Sequence, residues 1–324
     1  MPLERRAVIV GAGECAFHSG ERAVQARVGV AERMARVGDR AIRHSMSEQH
    51  RQFFGLLPFV LVGSIDRTGQ PWASVLAGKP GFVSSPDAHT LRIRTNTTAG
   101  DPLTENLHAG AQVGILGLQA HTRRRNRANG VVSAVDHDGF AVTVGQNFGN
   151  CPKYIQAREP SYRSRFAATS FGSLPALSES AMRLIRGADT FFIATAHPDA
   201  SHGGSPTRGV DVSHRGGRPG FVGLDRSGRL TVPDFIGNFF FNTLGNVELH
   251  PFAGLLFMDY ESGDLLSLAA SVAVIWDAPE VAAFEGAQRL LRFTPREIRS
   301  AQAALPLQWG KVEPSPHLIG TGIW

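Results

Sequence analysis

The residues best suited to chemistry lie in two short segments in the second half of the sequence. Residues 208–217 end a strand-like run in Ser-His-Arg-Gly-Gly, and residues 233–246 carry Pro-Asp-Phe-Ile-Gly-Asn followed by Asn-Thr. Guanidinium, hydroxyl and amide groups, together with backbone N–H groups exposed by glycine, bind a phosphomonoester. The two segments therefore predict a phosphate-binding concavity, and the alternative is a pair of Gly-rich hairpins with surface arginines.

Patterns for cofactor-free chemistry are absent from the sequence. It has no nucleophile elbow, no His-Glu-x-x-His and no P-loop, and its 12 His residues lack metal-ligand spacing. Cys15 and Cys151 form no redox or metal pattern. The strand and glycines at residues 8–16 lack the helix and the later acidic strand end of a dinucleotide site. We therefore expect a bound cofactor to carry any reaction.

Length and composition favour a two-domain globular protein. The chain has 324 residues, 42% hydrophobic and 19% charged, and no apolar run long enough for a bilayer. No secretion signal is recognised, so we expect a cytoplasmic protein without a membrane partner. The net charge of +5 is concentrated only at residues 123–127, without interleaved aromatics. Bound anionic phosphates explain this charge as well as nucleic acid does, and we expect no nucleic-acid partner.

The sequence contains an internal duplication. Lys-Pro-Gly-Phe-Val at residues 79–83 matches Arg-Pro-Gly-Phe-Val at residues 218–222, and Gly-Ile-Leu at 114–116 matches Gly-Leu-Leu at 254–256. Upstream, Met-Ser-Glu at 46–48 matches Leu-Ser-Glu at 177–179, and Phe-Val-Leu-Val at 59–62 matches Phe-Phe-Ile-Ala at 191–194. The matches are collinear, so two copies of one module lie in tandem.

Each copy predicts the same elements. A helix begins at an N-cap serine, Ser47 or Ser178, and is followed by five or six short strands separated by Gly, Pro, Asp and Ser turns. Such strands, without long helices between them, favour a small closed barrel over a sandwich or a parallel α/β sheet. The fold class predicted is mainly β: two β-barrels with added helices.

The domain boundaries follow from the copies and their flanks. Residues 1–44 form an N-terminal helical arm, 45–150 the first barrel, a diverged copy, and 151–175 a connector rich in Gly, Pro, Asn and Ser. Residues 176–280 form the second barrel, which carries the candidate phosphate site. Residues 281–324 are expected to form a C-terminal helix, over 284–305, and an extended tail.

The second copy carries a family resemblance. Its strand, Ser-His-Arg-Gly-Gly, Pro-Gly-Phe-Val, Pro-Asp-x-x-Gly-Asn, short helix and His-Pro-x-x-Gly-Leu-Leu-Phe resemble the FMN-binding split-barrel family related to pyridoxamine 5′-phosphate oxidase. Asn-Arg-x-Asn-Gly at 126–130 and the segment at 148–155 resemble its tandem two-barrel branch. The resemblance implies two split barrels paired as a pseudo-dimer, with FMN at their interface. The chain would then be a monomeric fused pseudo-dimer or a homodimer of these.

The resemblance also implies a residue set for the cofactor. The phosphate would be held from the second barrel, Asp234 and Gly237 would line the ribityl chain or ring edge, and further candidates come from the first barrel. The complete cofactor-binding set is Ser213, His214, Arg215, Gly216, Asp234, Gly237, Asn238, Asn242, Thr243, Trp72, Ser74, Arg127, Asn147 and Asn150. The family's basic pair before the short helix is replaced by Asn242-Thr243, and a Phe run at 239–241 is inserted, so the number of charged phosphate contacts is open.

The two copies differ in their suitability for phosphate. At the matching place the first copy keeps Ser74 and Lys79, but its next turn leads to Asp101, which would repel an anion. One good site and one decayed site are expected rather than two flavins.

Two classes of function remain open. The first is an FMN-dependent oxidoreductase that uses a small-molecule electron donor or acceptor, with no identifiable catalytic base. The second is a flavin, haem or deazaflavin binding or sensing protein without turnover.

Overall fold

The computed structural model describes residues 15–163, 169–202 and 205–324. Most of the glycine-rich segment at residues 8–16 lies outside the described residues. The N-terminal arm is helical as predicted, with α1 at Ser19–Arg27 and α2 at Ala31–Ala41. No helix in the described ranges is long and apolar enough to cross a membrane.

The first barrel is an antiparallel sheet of seven strands. Helix α3 (Glu48–Gly55) begins at the predicted N-cap Ser47, whose Oγ accepts from the His50 N–H at 3.3 Å. The strands are β1 (Phe59–Ile65), β2 (Pro71–Ala77), β3 (Val83–Asp87), β4 (Thr90–Ile93), β5 (Gln112–Gln119), β6 (Arg124–Asp136) and β7 (Gly139–Asn150), and α4 (Leu103–Asn106) precedes β5. Their order in the sheet is β2-β1-β5-β6-β7-β4-β3.

The connector adds two short strands, β8 (Pro160–Tyr162) and β9 (Gly172–Leu174). The second barrel then repeats the first. Helix α5 (Glu179–Gly187) begins at the predicted N-cap Ser178. The strands that follow are β10 (Thr190–Ala196), β11 (Val210–Gly216), β12 (Gly223–Leu224), β13 (Leu230–Phe235), β14 (Phe252–Met258), β15 (Leu265–Ile275) and β16 (Ala287–Ala301), with helices α6 (Asn242–Leu249) and α7 (Pro279–Ala283) between them.

The order of the second sheet is β11-β10-β14-β15-β16-β13-β12, the order of the first with every strand number raised by nine. Equivalent residues follow from the registers: Leu116 faces Arg127 between β5 and β6, as Leu256 faces Ser267 between β14 and β15. The mainly β fold with two barrels, and the duplication behind it, are thus confirmed.

The predicted C-terminal helix at residues 284–305 is wrong. Residues 287–301 form β16, the seventh strand of the second barrel, paired with β13 and β15. Leu291 and Phe293 point into the barrel core, while Leu290 packs in a separate cluster with Phe235 and Phe284. Apolar side chains are buried on both faces, so the alternation that marks a strand is missing from the sequence. The second barrel therefore extends beyond residue 280, and β17 (Leu307–Trp309) pairs with β8.

The barrels share an apolar layer and approach closely at two equivalent glycines. Phe59 and Leu61 of the first barrel pack in one cluster with Phe192 and Leu256 of the second. A Cβ at Gly114 would lie 2.4 Å from the Val210 carbonyl oxygen, and one at Gly254 would lie 2.5 Å from that of Pro71. Any other residue at these positions would push the barrels apart.

Candidate functional site

A cavity opens where β6 and β7 of the first barrel meet β11, β13 and α6 of the second. It encloses about 870 Å³ including its open mouth. Both barrels and the start of the connector supply its walls. The lining residues are Arg125, Arg127, Asn150, Cys151, Lys153, Tyr154, Ser213, His214, Arg215, Gly216, Phe221, Pro233, Asp234, Phe235, Gly237, Asn238, Phe239, Phe241, Asn242, Thr243 and Leu244.

Arg127 joins the two barrels at the floor of this cavity. It lies on β6 of the first barrel, and its Nη1 donates to Asp211 Oδ1 at 2.8 Å and to Asn242 Oδ1 at 2.9 Å, both in the second. Its Nη2 donates to Ser213 Oγ. The Ser213 and Thr243 hydroxyl oxygens are 3.1 Å apart, which brings β11 and the start of α6 together. The guanidinium is buried but keeps a charged partner, as a buried cation requires.

Arg215, Asp234 and Arg289 form a second group of charges. Arg215 Nη1 donates to Asp234 Oδ1, and Arg289 Nη1 lies 3.2 Å from Asp234 Oδ2. The register of β13 shifts at Asp234–Phe235, beside this carboxylate. One carboxylate is therefore shared by two guanidinium groups, and positive charge remains uncompensated.

Several donors in this region have no protein partner. Among the described residues, Arg127 Nε, Arg215 Nε, Arg289 Nε and Asn150 Nδ2 are buried without a hydrogen-bond acceptor. A buried donor without an acceptor destabilises the protein, and a bound anion would satisfy such donors.

Burial shifts the pKa of titratable groups around the cavity. It lowers the pKa of the Arg125 guanidinium to about 10, with neighbouring Arg127 acting in the same direction. It lowers the pKa of His214 well below the usual value, assisted by Arg125 and Arg215, so this imidazole is neutral at pH 7. The cationic surroundings thus come from arginine rather than histidine.

The charges in and directly behind the walls of the cavity favour an anionic ligand such as a phosphomonoester. Arg125, Arg127, Arg215 and Arg289 carry four positive charges, and Asp211 and Asp234 carry two negative charges, which leaves two positive charges. Lys153, which also lines the cavity, adds a third. A phosphomonoester carries between about 1.5 and 2 negative charges at pH 7.

An aromatic wall with unusual backbone conformations completes the cavity. Tyr154, Phe239 and Phe241 have positive φ angles of 64°, 64° and 61°. Tyr154 packs on Phe235 with ring centroids 5.1 Å apart, and its hydroxyl donates to the Ile236 carbonyl at 3.1 Å. Such conformations cost free energy in residues other than glycine and cluster at ligand sites.

Eleven of the 14 residues predicted from the sequence line this cavity. Trp72, Ser74 and Asn147 do not: Trp72 Nε1 donates to Asp66 at 3.1 Å, and Ser74 Oγ donates to Asp101 Oδ1 at 2.6 Å. Asn147 lies behind the floor, where its Nδ2 donates to the Arg127 carbonyl at 2.6 Å. Trp72 and Ser74 belong to β2, whose counterpart β11 lines the cavity, so they mark the equivalent position in the other barrel.

The predicted set missed Arg125 and the aromatic wall. Arg125 lies two positions before Arg127 on the same strand, so the alternation of a β-strand places both on one face. It also missed Asp211 and Glu21, which lie behind Arg127 and Asn242. No local pattern identifies these two, because their partners are distant in sequence.

The equivalent position in the other barrel is closed. Ser74 corresponds to Ser213, and Ser267 of β15 stands where Arg127 stands, so the guanidinium of β6 has no counterpart on β15. The guanidinium at this position is that of Arg299 on β16, which donates to the Gly100 carbonyl at 3.1 Å. Residue 99 forms a bridge with residue 170, and a Cβ at Gly100 would lie 2.7 Å from the Phe171 carbonyl oxygen. The connector thus covers this position.

One protein-family model matches part of the chain. Residues 46–167 match the family model described as pyridoxamine 5′-phosphate oxidase. No curated protein sequence matches the chain.

Several solved structures each match a part of the chain that is about as long as one barrel. A candidate pyridoxamine 5′-phosphate oxidase from Lactobacillus delbrueckii is 18% identical over 39% of this chain and 97% of its own, with a TM-score of 0.30. A FAD-binding protein from Mesorhizobium loti is 8% identical over 41% of this chain and 97% of its own, at 0.28. The haem storage protein HutZ from Vibrio cholerae is 11% identical over 45% and 97%, at 0.26. The family match covers the first barrel and the beginning of the connector, and it marks this part of the chain as similar to the pyridoxamine 5′-phosphate oxidase family.

Proposed function

We propose that the cavity binds FMN and that the protein is an FMN-dependent oxidoreductase. The observation that carries the proposal is the net positive charge around the cavity, where the five cations Arg125, Arg127, Arg215, Arg289 and Lys153 exceed the two carboxylates Asp211 and Asp234 by three, with buried guanidinium nitrogens that lack an acceptor in the described part of the chain. A phosphate dianion supplies both the missing charge and the missing acceptors.

The residues present fit the cofactor in two further respects. Tyr154, Phe235, Phe239 and Phe241 offer apolar surface for a planar ring, and the Asn150 and Asn238 side chains offer polar groups for the ribityl chain or ring edge. When bound, a flavin supplies hydride and electron transfer, while the protein binds, orients and hydrogen-bonds it.

The residues of the chain would bind and orient rather than transfer protons. The phosphate would be held by Arg127, Ser213, Asn242 and Thr243. The Arg215 guanidinium would bind the same phosphate, either from its present position or after it releases the Asp234 carboxylate. Among the titratable side chains that line the cavity, His214 is neutral with its ring against Phe192 at 5.8 Å, which suits packing better than acid–base work. This observation favours the second candidate, a flavin-binding protein without turnover.

The test compares FMN with riboflavin on the purified protein. We expect FMN to bind more tightly than riboflavin by about 10- to 1000-fold, since each charged hydrogen bond to phosphate contributes roughly 1.5–3 kcal/mol. Equal affinities would refute the phosphate site. Stopped-flow mixing of the FMN complex with NADH or NADPH then separates the two candidates: bleaching of the flavin absorbance, followed by its recovery with an acceptor, supports the oxidoreductase. A complex that neither reductant bleaches supports binding without turnover.

A further inference from the structure

Helix α1 of the N-terminal arm is inserted against α6 of the second barrel, directly behind the cavity. A Cβ at Gly20 would lie 2.1 Å from the Gly245 carbonyl oxygen, and one at Gly245 would lie 2.5 Å from the Glu21 backbone nitrogen. Only two glycines allow this approach, which carries the Glu21 side chain into the protein interior with 3% of its surface exposed. Glu21 is therefore a buried acidic residue on an arm that lies outside both barrels, and its contacts show what its burial serves.

Glu21 contacts the floor of the cavity through Asn242. Its Oε1 accepts from Asn242 Nδ2 at 2.5 Å, and its Oε2 accepts from the His18 backbone N–H at 2.9 Å. The Asn242 amide nitrogen donates to Glu21, and the Asn242 Oδ1 accepts from Arg127 Nη1 at 2.9 Å. An asparagine amide has one acceptor end and one donor end: Arg127, which can only donate, takes the acceptor end, and Glu21 accepts from the donor end and so fixes the amide in this orientation.

The groups around Glu21 come from all the elements packed against it. His18 and its neighbour His197 lie on one side, Asp211 of β11 and Arg127 of β6 on the other, and Arg208 lies near the histidines. Burial, with Asp211 adding to it, raises the pKa of Glu21 well above its usual value. Burial lowers the pKa of His18 to about 4, so this imidazole is neutral at pH 7.

The arm also holds the wall of the cavity. Gln25 Nε2 donates to the Phe240 carbonyl at 3.3 Å, Phe17 packs edge-on against Phe240 at 5.3 Å, and the Arg33 guanidinium lies 5.0 Å from the Phe239 ring centre. These contacts hold the loop whose Phe239 and Phe241 have positive φ angles. The arm therefore supports the cavity at the same place where Glu21 reaches its floor.

We infer that Glu21 is a positioning residue for the phosphate site: it orients the Asn242 amide, and through it Arg127, for an anion bound between the two barrels. The inference rests on the proposed function, because it concerns the same cavity. Glu21 itself does not line the cavity and is not a ligand of the anion.

The experiment measures the ratio of riboflavin Kd to FMN Kd, which isolates the phosphate contribution, in the full-length protein. We expect Glu21→Ala to reduce this ratio by about tenfold, as for loss of an orienting hydrogen bond to a charged site. Glu21→Gln, which keeps one amide oxygen for Asn242 Nδ2, should restore it to within about threefold of the wild type. The matched control is Glu32→Gln, an exposed glutamate in the first turn of α2 of the same arm, which should leave the ratio unchanged.

A double-mutant cycle distinguishes positioning from general loosening of the arm. If Glu21 acts through Asn242, adding Glu21→Ala to an Asn242→Ala variant should change the ratio by less than about twofold. Independent, multiplicative losses would overturn the inference, as would an unchanged ratio in Glu21→Ala. If the wild type itself prefers FMN no more than riboflavin, the proposed function fails rather than this inference. If the Glu21→Ala protein does not fold, Glu21→Met, which keeps the length of the side chain and removes both carboxylate oxygens, takes its place in the same cycle, with the same expected and contradicting outcomes.

Discussion

The two barrels share one topology, yet their equivalent positions beside Ser213 and Ser74 have opposite properties. Beside Ser213 a guanidinium from the other barrel supplies charge, and the region holds unpartnered donors and an open cavity. Beside Ser74 the other barrel supplies Ser267, whose buried Oγ has no partner among the described residues. The Ser74 hydroxyl donates its hydrogen bond to Asp101. Arg127 against Ser267 and Arg215 against Leu76 are two of the differences in charge, and the connector covers the position beside Ser74.

This comparison teaches that duplication keeps the frame while the sites diverge. The Asn106 side chain donates to Ser64 Oγ at 3.0 Å, and its equivalent Asn246 donates to Thr195 Oγ1 at 3.2 Å. The hydrogen bond that joins the short helix to the first strand of each barrel is therefore present in both copies. The side chains that surround Ser213 and Ser74 are what differ between the two copies. The predictions below test whether these groups are sufficient to explain the asymmetry.

The largest expected effect comes from Arg127→Ala. It removes the cation that contacts Asp211, Asn242 and Ser213, and it leaves the Asp211 carboxylate buried without its ion pair. We expect the free energy of unfolding to fall by about 3–5 kcal/mol, measured by urea denaturation, and FMN binding to be lost. Ser267→Ala, the matched change at the closed position, should alter stability by less than about 1 kcal/mol and leave FMN binding intact. Equal effects of the two variants would contradict the asymmetry.

The second prediction concerns pH and the closed position. Burial raises the pKa of Asp101 from 3.8 to about 6, against the hydrogen bonds from Ser74 and from the Leu103 N–H. A raised folded-state pKa stabilises the fold fully below the unfolded value, and this contribution disappears as the pH rises through about 6. Between pH 4 and pH 8 the wild type should therefore lose about 3 kcal/mol relative to Asp101→Asn, whose amide oxygen keeps both hydrogen bonds.

The measurement is urea unfolding of both proteins at several pH values. Asp87→Asn serves as the control, because this exposed carboxyl has its pKa lowered by the His89 N–H and should give the opposite, smaller slope. Parallel stability curves for wild type and Asp101→Asn would show that Asp101 is ionised in the folded protein.

The third prediction returns to the open site. Arg215→Ala should weaken FMN binding by about 1.5–3 kcal/mol, or 10- to 150-fold, because a charged hydrogen bond to phosphate is removed and Asp234 is left to repel it. Asp234→Asn should strengthen FMN binding, since it frees Arg215 and Arg289 from a competing anion. Arg299→Ala, at the closed position where this guanidinium contacts the Gly100 carbonyl at 3.1 Å, should leave the FMN Kd unchanged. An unchanged Kd in Arg215→Ala would move the phosphate elsewhere in the cavity.

Much of the fold could be predicted from sequence because its signals are local. Ser47 and Ser178 mark the helix starts, and the repeated Pro-Gly-Phe-Val motif aligns the copies. Strand β16 was missed because its pairing with β13 and β15 depends on residues far away in the chain, and because both faces of the strand are buried.

The candidate site was predictable where one strand and one helix start supply it, as at Ser213, Arg215 and Thr243. It was not predictable where the arm or the other barrel contributes. Glu21 lies 221 positions from Asn242, and no periodicity or motif connects them. Ser74, predicted as a contribution from the first barrel, does not line the cavity, because β2 lies at the equivalent position of the other barrel and the Ser74 hydroxyl donates to Asp101.

The smallest expected effect separates the two serines directly. Ser213→Ala removes the hydroxyl that accepts from Arg127 and lies 3.1 Å from Thr243, and we expect FMN binding to weaken by about 1 kcal/mol, roughly fivefold, by fluorescence titration. Ser74→Ala removes the donor to Asp101, so it should lower the free energy of unfolding by about 1 kcal/mol and leave the FMN Kd unchanged. Because both residues occupy the same position of equivalent strands, any difference in FMN affinity arises from the groups around that position, which include Arg127 of the opposite barrel and Arg215 of the same strand as Ser213. A loss of FMN affinity in Ser74→Ala equal to that in Ser213→Ala would mean that both positions bind the cofactor, and that the connector over Gly100 moves aside to admit it.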